Sequence, residues 1–247
     1  MMPPSGEGSE GQEGMTKESC GFCQWNSLLE RLRHAVRIVV DRFIDLWLNI
    51  DTSADYIYSK EPSRFGDPNA NVPISYLLLR KYVGRTRIDA QDVFYDIGCG
   101  YGRALCFVAR KCVSKCVGIE LSQELAAKAR KNAMTLRGRF SPIEVRPGDA
   151  AEQDYTDGTI FFLFNPFGRE TLRTVLTRIE STLRTNPRRV RFIYVNPVHK
   201  EVFDSALWLT YCGKSKSFFS PLRVEYWRNI DRQPKVRGER EKVGGKR

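Results

Sequence analysis

The run Val93-Phe94-Tyr95-Asp96-Ile97-Gly98-Cys99-Gly100-Tyr101-Gly102-Arg103 places an apolar stretch ahead of a turn with glycine at every second position. Glycine admits backbone conformations closed to other residues and lets a ligand approach closely, and a helix starting at such a turn presents its N–H groups there. This is the chemistry of a nucleotide-type cofactor site. A dinucleotide fingerprint would need a small residue at position 103, where Arg103 stands. Further along, Glu120 closes the run Val117-Gly118-Ile119, at about the distance at which such folds carry an acid. Gly148-Asp149-Ala150, Asn165-Pro166-Phe167-Gly168 and Asn196-Pro197-Val198-His199 each follow a later apolar run. Taken singly, an acid here reads as a solvated loop residue and an Asn-Pro pair as a turn. Their order at the ends of successive runs makes a chance arrangement much harder to sustain.

The elements that must position these residues follow from periodicity. Strand-like runs fall at 93–97, 116–119, 143–145, 159–164 and 190–195, with helical stretches at 103–111, 123–136 and 169–183. Strands alternating with helices predict an α/β fold with a doubly wound, mostly parallel sheet. The last runs, 207–211 and 222–227, are joined by a polar loop and predict an antiparallel C-terminal hairpin. Ahead of the sheet lies an N-terminal helical extension. In residues 25–50, Leu28, Leu29, Leu32, Val36, Val39, Val40, Phe43, Trp47 and Leu48 recur at three- and four-residue intervals, with Arg31, Arg33, Arg37 and Arg42 on the other face. The expected fate of that stripe is packing on the protein's own core, with an anionic membrane surface as the lesser alternative. The division is a disordered leader over 1–22, a helical cap or lid over 23–85, the main domain over 86–230 and a basic tail over 231–247. A short helix is expected over 74–83, and residues 56–76 with the N-terminal helix as a lid.

The spacing Asp-x-Gly-x-Gly-x-Gly, Asp96 to Gly102, resembles that of class I, seven-strand S-adenosylmethionine-dependent methyltransferases. The resemblance covers residues 71–230 and is nearest to a poorly characterised set with Asn-Pro-Phe-Gly after the fourth strand. It implies S-adenosyl-L-methionine as cofactor, held by Asp96, Gly98, Gly100, Gly102, Glu120, Asp149 and Ala150. By the same resemblance Glu120 takes the ribose hydroxyls, Asp149 accepts from the adenine amino group, and the amide that follows contacts the ring. Two adjacent hydroxyl donors suit the two oxygens of a carboxylate. Asn165, Pro166 and Phe167 resemble the Asn/Asp-Pro-Pro-Tyr/Phe loop of amino N-methyltransferases, which implies a catalytic loop that holds the acceptor nitrogen. Phe167 stands where the second proline belongs, so a plain turn after a core strand is an equal reading there. His199 could relay a proton but reads better as a helix-start residue.

Composition bounds the partners. Of a net charge of +11, the first 20 residues carry −3 and the last 17 carry +4, so the body is itself basic. A basic body suits an acidic macromolecule, protein or nucleic acid, or an anionic membrane, and a solvated surface equally well. No run reaches the roughly 18–20 apolar residues of a membrane span, and the N-terminus lacks a signal-peptide pattern, which predicts an intracellular, cytoplasmic protein. Seven cysteines in no scaffold pattern read as reduced thiols. Cys20 and Cys23 form one Cys-x-x-Cys pair, too few ligands for zinc, so no metal is expected. The expected function is N-methylation of a macromolecular acceptor. Methylation of a lipid or small metabolite, and a catalytically silent binding protein of the same fold, stand as alternatives.

Overall fold

A computed structural model describes residues 28–53, 63–66, 72–217 and 220–230. The expected leader, the basic tail, the Cys20/Cys23 pair and much of the 56–76 lid lie outside the described residues.

The five apolar runs form parallel strands: β1 (Val93–Ile97), β2 (Lys115–Glu120), β3 (Ile143–Pro147), β4 (Ile160–Phe164) and β5 (Arg191–Val195). Between them run α3 (Arg103–Val108), α4 (Gln123–Thr135) and α5 (Arg169–Thr185), preceded by α1 (Leu28–Leu48) and α2 (Tyr76–Gly84). After β5 come α6 (Lys200–Asp204) and the hairpin β6 (Leu209–Ser217) and β7 (Ser220–Asn229). One seven-stranded sheet has the order β3-β2-β1-β4-β5-β7-β6, with β7 antiparallel to both its neighbours. The hairpin strands outrun the apolar runs at 207–211 and 222–227, because ladder pairing on an edge carries polar residues such as Lys214 and Lys216 into strand conformation.

Alternation along the strands sends neighbours to opposite faces. Phe94, Phe162 and Ile193 join Leu79, Tyr82 and Leu105 on the face covered by α2, α3 and α4. Tyr95, Phe161 and Phe192 join Leu176, Ile179 and Phe203 on the face covered by α5 and α6. From β1 the chain steps outward through β2 to β3, then returns to the other side of β1 for β4 and β5. That reversal opens a crevice at the carboxyl ends of β1 and β4, the place where open α/β sheets bind ligands.

Helix α1 corrects the expectation for the N-terminal stripe in part: Leu48 packs in the core as expected, and most of the rest does not. The face turned to the body carries Arg37, Asp41, Asp45 and Leu48, all buried, while Leu32, Val36, Val39, Phe43, Leu46 and Trp47 are exposed. The body offers α1 a polar socket here, and buried charge must be paired. The Arg103 guanidinium donates through Nε to Thr52 Oγ1 (2.6 Å), through Nη1 to Asp41 Oδ2 (3.1 Å) and through Nη2 to Asp45 Oδ2 (3.4 Å). Ser75 Oγ and the Tyr76 N–H complete Asp41, both at 3.0 Å, and Tyr76 Oη donates to Asp45 Oδ1 at 2.6 Å. Burial raises Asp41 above the usual carboxylate range, and the Arg103 charge pulls it back down.

Candidate cofactor site

β1 ends in Asp96, and the chain turns through Gly98, Gly100 and Gly102, all at positive φ. Gly98 has a second reason to be glycine. A Cβ built there would lie 2.4 Å from Pro166 Cβ, so the turn is packed directly against the loop after β4. Gly102, at φ 80°, is the N-cap of α3. The Gly98 and Cys99 N–H groups donate to the Ile119 carbonyl, at 2.9 and 3.0 Å, which ties the turn to β2.

Glu120, buried at the end of β2, organises the same turn from the other side. Its Oε2 accepts from the Gly100 N–H (2.8 Å) and its Oε1 from the Ser122 N–H (3.0 Å). Each carboxylate oxygen has two acceptor positions, and two oxygens side by side match a pair of neighbouring hydroxyl donors. Asp96 is buried beside it, and burial first, then the Glu120 charge, pushes its carboxyl up to about 8. Asp149 caps the 3-10 turn Ala150–Glu152: Oδ1 accepts from the Ala151 N–H (2.8 Å) and Oδ2 from the Arg64 N–H (2.5 Å).

These residues share one cleft of about 960 Å³ of empty space, its open mouth included. Asp96, Gly98, Glu120, Asp149 and Ala150 line it, as do Pro166 and Phe167 of the loop after β4. Gly100 and Gly102 lie outside the lining and shape the turn behind it. The N-terminal extension supplies a wall through Thr52, Ser63 and Val72 to Ile74. Ser63 Oγ is buried without a hydrogen-bond partner among the described residues, a polar atom left for whatever fills the cleft.

Asn165 sits apart. It is absent from the cleft lining, and its Oδ1 accepts from Tyr194 Oη at 3.3 Å. Burial raises Tyr194, keeping the phenol protonated as a donor. Asn165 and Asn196 take φ 42° and 49° at the ends of β4 and β5, left-handed conformations that asparagine tolerates better than most residues. Both Asn-Pro pairs thus turn the backbone at a strand end, and the first sets Pro166 in the cleft wall. His199 is the N-cap of α6, its N–H donating to Tyr194 Oη (3.4 Å), and it lies outside the cleft lining.

Sequence reasoning used Arg103 only to exclude a dinucleotide. Its larger role, joining α1 to the start of α3, went unread, as did Thr52 and Ser63. The available signal was that Asp41 and Asp45, four residues apart, are the only acids in residues 31–48. Among the described cysteines, Cys99, Cys106 and Cys116 are buried free thiols as expected, whereas Cys112 and Cys212 are exposed.

Comparison with known proteins agrees with the geometry. Residues 94–186 match the methyltransferase domain family. A protein-lysine N-methyltransferase of Saccharolobus islandicus (strain REY15A) is 31% identical over 98 residues, covering 38% of this chain and 58% of the relative. A probable fatty acid methyltransferase of Pseudomonas putida is 33% identical over 86 residues, covering 35% of this chain and 21% of the relative. The chain thus spans less than two thirds of either curated relative. The solved RNA methyltransferase of Salinibacter ruber, in complex with S-adenosyl-L-homocysteine, shares the fold at a TM-score of 0.50 and 24% identity, covering 66% of this chain and 97% of that one. Residues 94–186 therefore match a methyltransferase domain, and the seven-strand sheet is the fold of class I S-adenosylmethionine-dependent methyltransferases.

The residues present fit that cofactor. The turn at Gly98 and Gly100 leaves backbone room, the Glu120 carboxylate lines the cleft beside it, and Ser63 Oγ is a buried polar atom with no hydrogen-bond partner among the described residues.

Proposed function

We propose that the protein transfers a methyl group from S-adenosylmethionine to a nitrogen of a macromolecular acceptor. One observation carries the reading: Pro166 packs on Gly98, so the loop Asn165 to Phe167 stands directly over the glycine turn and contributes Pro166 and Phe167 to the same cleft. When bound, the cofactor supplies an electrophilic methyl on a sulfonium, and the protein's task is alignment. Glu120 and the glycine turn hold the adenosine side, with Asp149 and Ala150 bounding it. Asp96, buried and facing the cleft, meets the cationic part of the cofactor. The buried Phe167 ring excludes water and offers a face to a nitrogen that gains positive charge, a favourable contact. The basic body suits an acidic protein or a nucleic acid. Free thiols and the absence, among the described residues, of any helix long and apolar enough to cross a membrane support an intracellular setting.

A lipid or small-metabolite acceptor is the second reading, favoured by the exposed apolar face of α1. Incubating the full chain with methyl-labelled S-adenosylmethionine and fractionated cell extract decides between them. Label in protein or nucleic acid supports the first, label in the lipid or metabolite fraction the second, and no labelled product in any fraction overturns both.

A further inference from the structure

Helix α1 turns Arg37, Asp41, Asp45 and Leu48 inward and a row of apolar residues outward. Leu32, Val36, Val39, Phe43, Leu46 and Trp47 are between 49% and 76% exposed and form one continuous stripe. At 1.5 Å per residue it runs for roughly 20 Å. Isolated exposed apolar residues are ordinary in soluble proteins, but a contiguous patch marks an interaction surface.

The charges bordering the stripe indicate what covers it. From Arg31 to Leu48 the acids are Asp41 and Asp45, and both are buried against Arg103. Arg31 and Arg42 flank the stripe in solvent, and Arg42 lies 3.9 Å from the exposed Asp51. At the helix's far end the Arg110 guanidinium lies 4.8 Å from the centre of the Trp47 ring, and Arg137 donates its N–H to the Leu48 carbonyl. Arg31, Arg42 and Arg110 thus border the stripe, with exposed Arg137 beyond its end and Asp51 as the acid beside Arg42. A second copy of this chain would set arginine against arginine across the seam. An anionic bilayer offers acyl chains to Phe43, Leu46 and Trp47 and phosphates to the arginines, the pattern of an interfacial helix.

We propose that α1 docks on an anionic phospholipid surface through Leu32 to Trp47, with Arg31, Arg42, Arg110 and Arg137 at the headgroups. Arg103 clamps the helix to the glycine turn, and the chain leaves α1 through Thr52, which lines the cleft. A docked helix therefore carries the cofactor site with it. The inference does not depend on the acceptor, because binding is measured without turnover.

The test is co-sedimentation of the full chain with phosphatidylcholine vesicles with and without phosphatidylglycerol. Partitioning is expected only with the anionic lipid. Phe43→Asp combined with Leu46→Asp should reduce it by about tenfold or more. Arg31→Gln and Arg42→Gln should each reduce it about fivefold, the weight of one basic residue at such a surface. All four residues are exposed, so unchanged thermal unfolding and cofactor affinity verify the fold of each variant. Failure to bind anionic vesicles overturns the proposal, as does binding that survives Phe43→Asp/Leu46→Asp. A dimer in sedimentation velocity that the double variant converts to monomer overturns it too, in favour of a second copy on this face.

Discussion

In the glycine turn, the carboxylate that holds the backbone is Glu120, 20 residues from the Gly100 N–H it accepts. In helix α1, the group that orients the element is Arg103, 62 and 58 residues from the Asp41 and Asp45 it pairs with. The turn is built by backbone groups and one acid at a strand end, so its parts follow in a spacing common to many chains. Helix α1 is built by a buried ion cluster against the pull of its own apolar stripe. The contrast shows that an amphipathic pattern names two faces without saying which one is inside. A socket of Arg103, Ser75, Thr52 and Tyr76 is enough to draw in the side that carries Asp41 and Asp45.

Several substitutions would break or sharpen this contrast. The largest expected effect belongs to Arg103→Ala, which leaves Asp41 and Asp45 buried without their cation and should cost roughly 3–5 kcal/mol in urea unfolding. Restoring much of that loss with Asp41→Asn and Asp45→Asn in the same chain would show that unpaired charge, rather than lost packing, is the cause. In the turn, Glu120→Ala removes the acceptor for Gly100 and Ser122 and the proposed ribose contact together. Calorimetry should find affinity for S-adenosylmethionine lower by about 100-fold, consistent with losing hydrogen bonds to a charged group; an unchanged affinity refutes the placement of the cofactor.

Gly98→Ala should cost roughly 1–3 kcal/mol, since φ 79° disfavours a side chain and Pro166 occupies its space, and Tm measurement reads it directly. Asp96→Asn works in the opposite direction. Burial pushes the Asp96 carboxyl from 3.8 up to about 8, so the folded state holds a proton that the unfolded state has released. Its unfavourable contribution therefore grows as pH rises from about 4 to about 8 and is absent below that window. The asparagine variant should raise cofactor-free stability at pH 8 by roughly 1–3 kcal/mol and flatten that slope, while weakening cofactor binding. The smallest effect on stability is expected for Phe43→Asp, within about 0.5 kcal/mol, because the ring is already in solvent.

Much of the fold was legible because it is local. Runs such as Ile160 to Phe164 are apolar at every position, as buried parallel strands require, and the helices between them follow from alternation. Asp96, Gly98, Glu120, Asp149 and Ala150 do line one cleft. The acceptor loop was harder to read, since Asn165 offers both a side-chain amide and a left-handed backbone, and here the amide turns toward Tyr194. Nothing in the spacing around Asn165 foretells that partner, because Tyr194 arrives from a neighbouring strand.

What the sequence determined by itself is the order of strands and helices and the chemistry of the turn, because glycine conformation and side-chain periodicity are properties of a few adjacent residues. Only the tertiary structure decided which way α1 faces and what holds Asp149 and Asn165. Those outcomes depend on Arg103, Arg64 and Tyr194, groups distant in the chain whose hydrogen bonds compete with water until the sheet has brought them together.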